Sequence, residues 1–198
     1  IPWYMRPAFQ VLSYIFKKMY ERDIKQMDLI LTNSQNTKDR IKKFLDLDSQ
    51  ILYPPVNLEE FTWKGQADYY LSFARLSDAK RVDKIVEAFK QLPEKKLVVI
   101  YWENDPQREK IFEIAENAKN IEFKTLPGNV WFTDYVGNSI ATIYIPIDED
   151  FGMSPVESMA AGKPVIWVNE GGLKETILDN KTGILISDQA KVLDLKQA

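Results

Sequence analysis

The sequence has no cysteine and no histidine among its 198 residues. Without cysteine there is neither a disulfide framework nor a thiolate zinc site. Without histidine the commonest general base and the commonest metal ligand are missing, and a Ser-His-Asp hydrolase is excluded. No run of about 18 apolar residues occurs, so no segment reads as a membrane-spanning helix. A cationic excess is lacking too. The net charge is -3, from 26 Lys and Arg against 29 Asp and Glu, which argues against a nucleic-acid partner, since phosphate contacts dominate that affinity. No signal-peptide pattern opens the chain, and a cytoplasmic setting is expected. The start at Ile1 rather than at methionine leads us to expect a fragment, or a chain whose beginning was removed.

What is there suffices for a real core. Hydrophobic residues make up 45% of the chain, and its length fits one full domain, or one domain plus part of another. Short apolar runs alternate with amphipathic stretches. Strands are predicted at 29–32, 51–53, 69–74, 97–101, 121–123, 140–145, 164–168 and 183–186. Helices are predicted between them, at 33–45, after Ser77 or Asp78, at 106–118, 129–136, 155–161 and 172–178. Val82, Ile85, Val86 and Phe89 follow the i, i+3, i+4, i+7 rule. This alternation predicts an α/β fold, a doubly wound parallel sheet whose ligands bind beyond the carboxyl ends of the strands. Residues 1–53 supply only two strands, too few for a sheet of their own. We therefore divide the chain into 1–58, the closing portion of another domain with its linker, and 59–198, a binding domain.

The stretch EDFGMSPVESMAAGKPVI, residues 149–166, carries the most chemistry. Two acids, Glu149 and Glu157, bracket a glycine turn that leads into a short helix. Gly152 lets the backbone approach a ligand closely. Ser154 suits an N-cap and Pro155 the first helical position, and the free N–H groups of such a helix start form an anion site. Two readings share Glu157. One is a ligand acid; the other is the capping box Ser154-Pro-Val-Glu157, in which Glu157 bonds the Ser154 backbone. Glu149, at a strand end, is a candidate for sugar hydroxyls, or simply a solvated acid.

Arg75 ends one strand and Lys80 begins the next helix, so the two cations can converge on one diphosphate. Arg81 reads as a solvated helix charge. Gly171-Gly172 allows close backbone approach or makes a plain turn. At the N-terminus, Trp3, Tyr4, Phe9, Tyr14, Phe16 and Tyr20 alternate with Arg6, Lys17, Lys18, Arg22 and Lys25. Such a helix either packs on its own domain or lies on an anionic membrane, the second reading placing the chain at the inner membrane face.

Together, FARLSDAKRVDKIVEAF, EDFGMSPVESMAAGKPVI and NEGGLKETILDNKTGILI, taken in order, resemble the retaining glycosyltransferases of family four, which have the GT-B fold. The wording of RLSDAKRVD and EDFGMSPVE is most similar to polysaccharide mannosyltransferases that use GDP-mannose. The resemblance implies two Rossmann-like domains, with residues 59–198 as the donor domain and 1–58 as the end of the acceptor domain. It implies that Arg75 and Lys80 hold the diphosphate, Glu157 the ribose and Glu149 the sugar, with Arg75, Lys80 and Glu149 taking the catalytic roles. Phe151, Gly152, Met153 and Ser154 would contact sugar or phosphate, and Gly171 and Gly172 would line the donor site. Lys124, Thr125 and Leu126 would meet the base. The implied donor is a nucleoside diphosphate sugar with no metal or other cofactor. The implied partners are a saccharide or lipid-linked saccharide acceptor and the rest of the acceptor domain. This chain by itself is expected to bind donor but transfer little. The sequence departs from the family at Trp102-Glu103-Asn104, where a Gly-x-Gly turn is usual, and at Lys124-Thr125, where a glycine is common. A non-catalytic nucleotide-sugar module and a GT-B epimerase are the alternatives.

Overall fold

A computed structural model describes residues 2–125 and 129–198, with the backbone alone for 129–131. By its contacts the chain divides into two units, Ile1–Tyr53 and Pro54–Ala198. The division falls ahead of the expected boundary at 58/59. The reason is packing: Val56 and the buried Phe61 belong to an apolar cluster of the second unit.

The first unit contains helix α1 (Arg6–Ile24), strand β1 (Leu31–Thr32), helix α2 (Gln35–Leu45) and strand β2 (Gln50–Ile51), with β1 and β2 parallel. Helix α2 begins where the sequence predicts. The Ser34 side chain accepts a hydrogen bond from the Thr37 N–H at 3.0 Å, which satisfies one otherwise orphaned donor. Helix α1 buries none of its residues.

In the second unit, strands β3 (Tyr69–Ser72), β4 (Lys96–Ile100), β5 (Ile121–Lys124), β6 (Thr142–Tyr144), β7 (Val165–Val168) and β8 (Gly183–Ile186) form one sheet in the order β5-β4-β3-β6-β7-β8. Every pairing is parallel. Between the strands run α3 (Val82–Lys90), α4 (Arg108–Ile114), α5 (Asn129–Asn138), α6 (Met153–Ala160) and α7 (Leu173–Thr176), and α8 (Val192–Gln197) closes the unit. This is the doubly wound α/β sheet expected from the alternating pattern. The two faces carry separate apolar clusters: Ile85, Leu97, Ile111 and Ile143 lie in one, Leu71, Val98 and Ile100 in the other. That is why β4 reads as a continuous apolar run.

The chain order reverses between β3 and β6, so connections leave those two strands in opposite directions. A crevice opens beyond their carboxyl ends, the standard ligand position in such sheets. The two strands share a single paired register position, Leu71 with Thr142.

Two local expectations are corrected. The α-helix after β3 is capped by neither Ser77 nor Asp78. A 3-10 turn covers Asp78–Lys80, Arg81 then takes a left-handed conformation (φ 52°), and α3 starts at Val82. Likewise α6 begins at Met153 with Gly152 as its N-cap (φ 87°), so Ser154 lies inside the first turn instead of capping it.

Candidate functional site

Arg81 explains the broken helix after β3. It is not a solvated charge: it is 6% exposed. Its Nε donates to the Ile145 carbonyl at 2.6 Å, one terminal nitrogen donates to the Pro146 carbonyl at 2.6 Å, and the other donates to the Asp188 carbonyl at 2.8 Å. It also pairs with Glu170 at 3.1 Å, and the same carboxylate accepts from the Asp148 N–H at 3.0 Å. A planar fork of fixed donors suits several carbonyls at once. The fork holds the loop after β6, which carries Glu149.

The glycine pair braces that loop from the other side. The Gly172 N–H donates to the Glu149 carbonyl at 2.8 Å. A Cβ on Gly171, whose φ is +55°, would overlap the Glu149 backbone, and one on Gly172 would overlap Asp150 and Phe151. Gly171 and Gly172 thus seat the Glu149–Phe151 backbone. Gly152, at φ +87°, is crowded by a side chain instead, because a Cβ there would strike the end of Leu173. Phe151 is buried, while Met153 and Ser154 are half-buried.

The Lys80 ammonium is hydrogen-bonded to the Glu149 carboxylate and donates at 2.7 Å to the Tyr144 hydroxyl. Tyr144 in turn donates to the same Glu149 oxygen at 2.7 Å. Burial first, and then the Glu149 charge, push the Tyr144 hydroxyl far above its ordinary range, so it keeps its proton. Lys80 also stands over the Tyr144 ring, 5.1 Å from its centroid. Glu149 is therefore not simply a solvated acid: a cation and a phenol anchor it. The sequence reading missed Tyr144, which sits inside an apolar strand run and looks like core.

Arg75 leaves β3 and turns toward Asp105, with Nε 3.4 Å from the carboxylate. Asp105 is buried and also accepts from the Trp102 N–H at 3.0 Å. It therefore closes the loop that stands where a Gly-x-Gly turn is usual. Arg75, Lys80, Trp102, Asp105, Tyr144 and Ser154 line one cavity of about 460 Å³ at the β3/β6 switch. That is the size of a small-molecule pocket.

Glu157 lies in the second turn of α6. The capping box expected for it is absent, because Gly152 has taken the cap and makes no side-chain bond. Burial raises the Glu157 carboxyl above its usual range.

Lys124 ends β5, ion-pairs with Glu122 at 2.7 Å and lies over the Tyr135 ring. Its ammonium is held above its usual range mainly by the Glu122 hydrogen bond. Thr125 is exposed. Leu126 lies outside the described residues.

The fold that carries this crevice has counterparts among known proteins. Residues 56–198 match the family model for glycosyl transferases group 1. The chain belongs to that family. Among group 1 relatives it is 35% identical over 128 residues to alpha-1,3/1,6-mannosyltransferase ALG2 of Dictyostelium discoideum, covering 65% of this chain and 26% of that protein. It is 28% identical over 191 residues to human ALG2, covering 80% and 46%. It is 25% identical over 176 residues to the O-antigen chain mannosyltransferase RfbU of Salmonella typhimurium, covering 83% and 48%. The chain spans less than half the length of these curated relatives. Its architecture is that of GT-B glycosyltransferases. It superposes on sucrose-phosphate synthase from Thermosynechococcus elongatus with a TM-score of 0.77 at 20% identity, over 90% of this chain and 50% of that one. A glycosyltransferase from Rickettsia africae gives 0.76 at 20% identity, over 92% and 55%. Among the described residues no helix is long and apolar enough to cross a membrane.

Proposed function

We propose that this chain carries the donor site of a retaining mannosyltransferase. Its donor is a nucleoside diphosphate mannose, with GDP-mannose the preferred form. Its acceptor is a hydroxyl of a saccharide or lipid-linked saccharide. The names of the relatives support the sugar. The observation that carries the reading is the single cavity where Arg75, Lys80 and the start of α6 meet beside Glu149.

The chemistry needs what these groups offer. When the bond between the sugar C1 and the phosphate oxygen breaks, its electron pair stays on the diphosphate. Arg75, Lys80 and the N–H groups at the start of α6 neutralise that growing charge; one well-placed donor of this kind is worth roughly 10² to 10³ in rate. The acceptor oxygen bonds to C1 on the same face, and its proton passes to the departing phosphate oxygen. No protein base is required, which suits a chain without histidine, and no metal enters the scheme. Glu149 receives sugar hydroxyls. Glu157, whose carboxyl is destabilised by burial, gains hydrogen bonds from the ribose hydroxyls. Lys124 and Thr125 contact the base. Transfer itself requires the acceptor-binding half, so this chain alone binds donor and turns over little.

Titration calorimetry with GDP, GDP-mannose and UDP-glucose tests the reading. Binding of GDP and GDP-mannose is expected. Failure to bind any of the three would overturn the donor site, and tighter binding of UDP-glucose would overturn the choice of base.

A further inference from the structure

Tyr144 lines the cavity, yet the transfer chemistry gives it no part. It ends β6, is 6% exposed and lines the cavity beside Lys80 and Ser154. Its hydroxyl is both acceptor and donor: it takes a proton bond from Lys80 at 2.7 Å and gives one to Glu149 at 2.7 Å. The centroid of its ring is 5.1 Å from the same ammonium.

We infer that Tyr144 is a positioning residue that links the two halves of the donor site, the cation for the diphosphate and the acid for the sugar. The inference rests on the donor-site reading. A lysine is a flexible point charge with three rotatable donors. The Tyr144 ring and hydroxyl fix it in one place, at the cavity wall. Lys80 has two anchors, the phenol oxygen and the carboxylate. A diphosphate competes for the ammonium against Glu149, while the phenol can keep its bond to Lys80 and its bond to Glu149. The carboxylate then exchanges its cation for sugar hydroxyls without losing its orientation. Phosphate binding and sugar binding are coupled through one hydroxyl.

Tyr144→Phe keeps the ring and removes that hydroxyl. A lost hydrogen bond to a charged group makes GDP bind about tenfold more weakly. The extra affinity that mannose gives GDP-mannose over GDP should shrink as well. A merely structural role would leave that ratio unchanged. It would also make the effects of Tyr144→Phe and Lys80→Met add up, whereas coupled groups give a double variant little worse than Lys80→Met alone. Should Tyr144→Phe fold poorly, Lys80→Arg provides the second test. Arginine keeps the charge and binds phosphate well, so a tenfold loss of GDP affinity there points to the seat on Tyr144. Wild-type affinity in either variant, or strict additivity, overturns the inference. A wild-type chain that binds no nucleotide overturns the donor site itself, which is a separate outcome.

Discussion

Gly171 lies so close to the backbone of Glu149 that no side chain fits between them. The contact joins the start of α7 to the loop after β6, two places far apart in sequence. It also separates two uses of glycine. Gly152 turns the chain into α6, whereas Gly171 is a spacer. Gly171→Ala would combine a left-handed alanine with a backbone overlap, costing on the order of 3 kcal/mol. A thermal melt should show a large loss of stability, and nucleotide affinity should fall with it as the Glu149 loop shifts. An alanine variant that melts like the wild type would contradict the spacer role.

Glu157 gives a prediction in which stability and binding move in opposite directions. Its folded carboxyl has a raised pKa because burial disfavours the charge. Between the ordinary value of 4.5 and the raised one, the folded chain holds more protons than the unfolded chain. Stability therefore falls as pH rises through that window. Glu157→Gln removes this cost, so its Tm at pH 7 should exceed that of the wild type, with the gap closing as the pH drops below the ordinary value. Nucleotide affinity should weaken in the same variant. A Tm below wild type at pH 7 would reinstate a structural role for this acid.

Arg81 predicts an intolerance to a nominally conservative change. Removing the guanidinium strands buried carbonyls at Ile145 and Pro146 and leaves Glu170 without its cation. Each buried acceptor left unsatisfied costs about 1–3 kcal/mol. A single lysine ammonium cannot span the Ile145, Pro146 and Asp188 carbonyls together. Denaturant unfolding should find Arg81→Lys nearly as destabilised as Arg81→Met. A lysine variant close to wild type would show that charge alone suffices.

The parts of the fold legible in the sequence were those fixed by short-range pattern. Leu97–Ile100 reads as a buried strand because both sheet faces are covered. Ser34 reads as a cap because its partner, Thr37, is three residues away. The same short range produced the error at Ser154. The Ser154–Glu157 spacing fits a capping box, but Gly152, pressed against Leu173, starts the helix earlier. Arg75 and Lys80, five residues apart across a strand–helix turn, both line the cavity. Their acid partners were not foreseen together, because Asp105 and Glu149 come from different loops. The roles of Arg81 and Tyr144 are illegible in the sequence for one reason. Local pattern assigns the first to the surface and the second to the core, and only contacts many residues distant give either its role.

Each cation in the cavity already faces an acid of its own chain, Lys80 facing Glu149 and Arg75 facing Asp105. The crevice therefore projects little net field into the solvent, and an approaching dianion is not drawn in from afar as it would be by unopposed positive charge. Capture becomes a short-range exchange of partners inside the pocket. For the proposed donor, discrimination between ligands then lies in how slowly a correct one leaves, rather than in how fast any anion arrives.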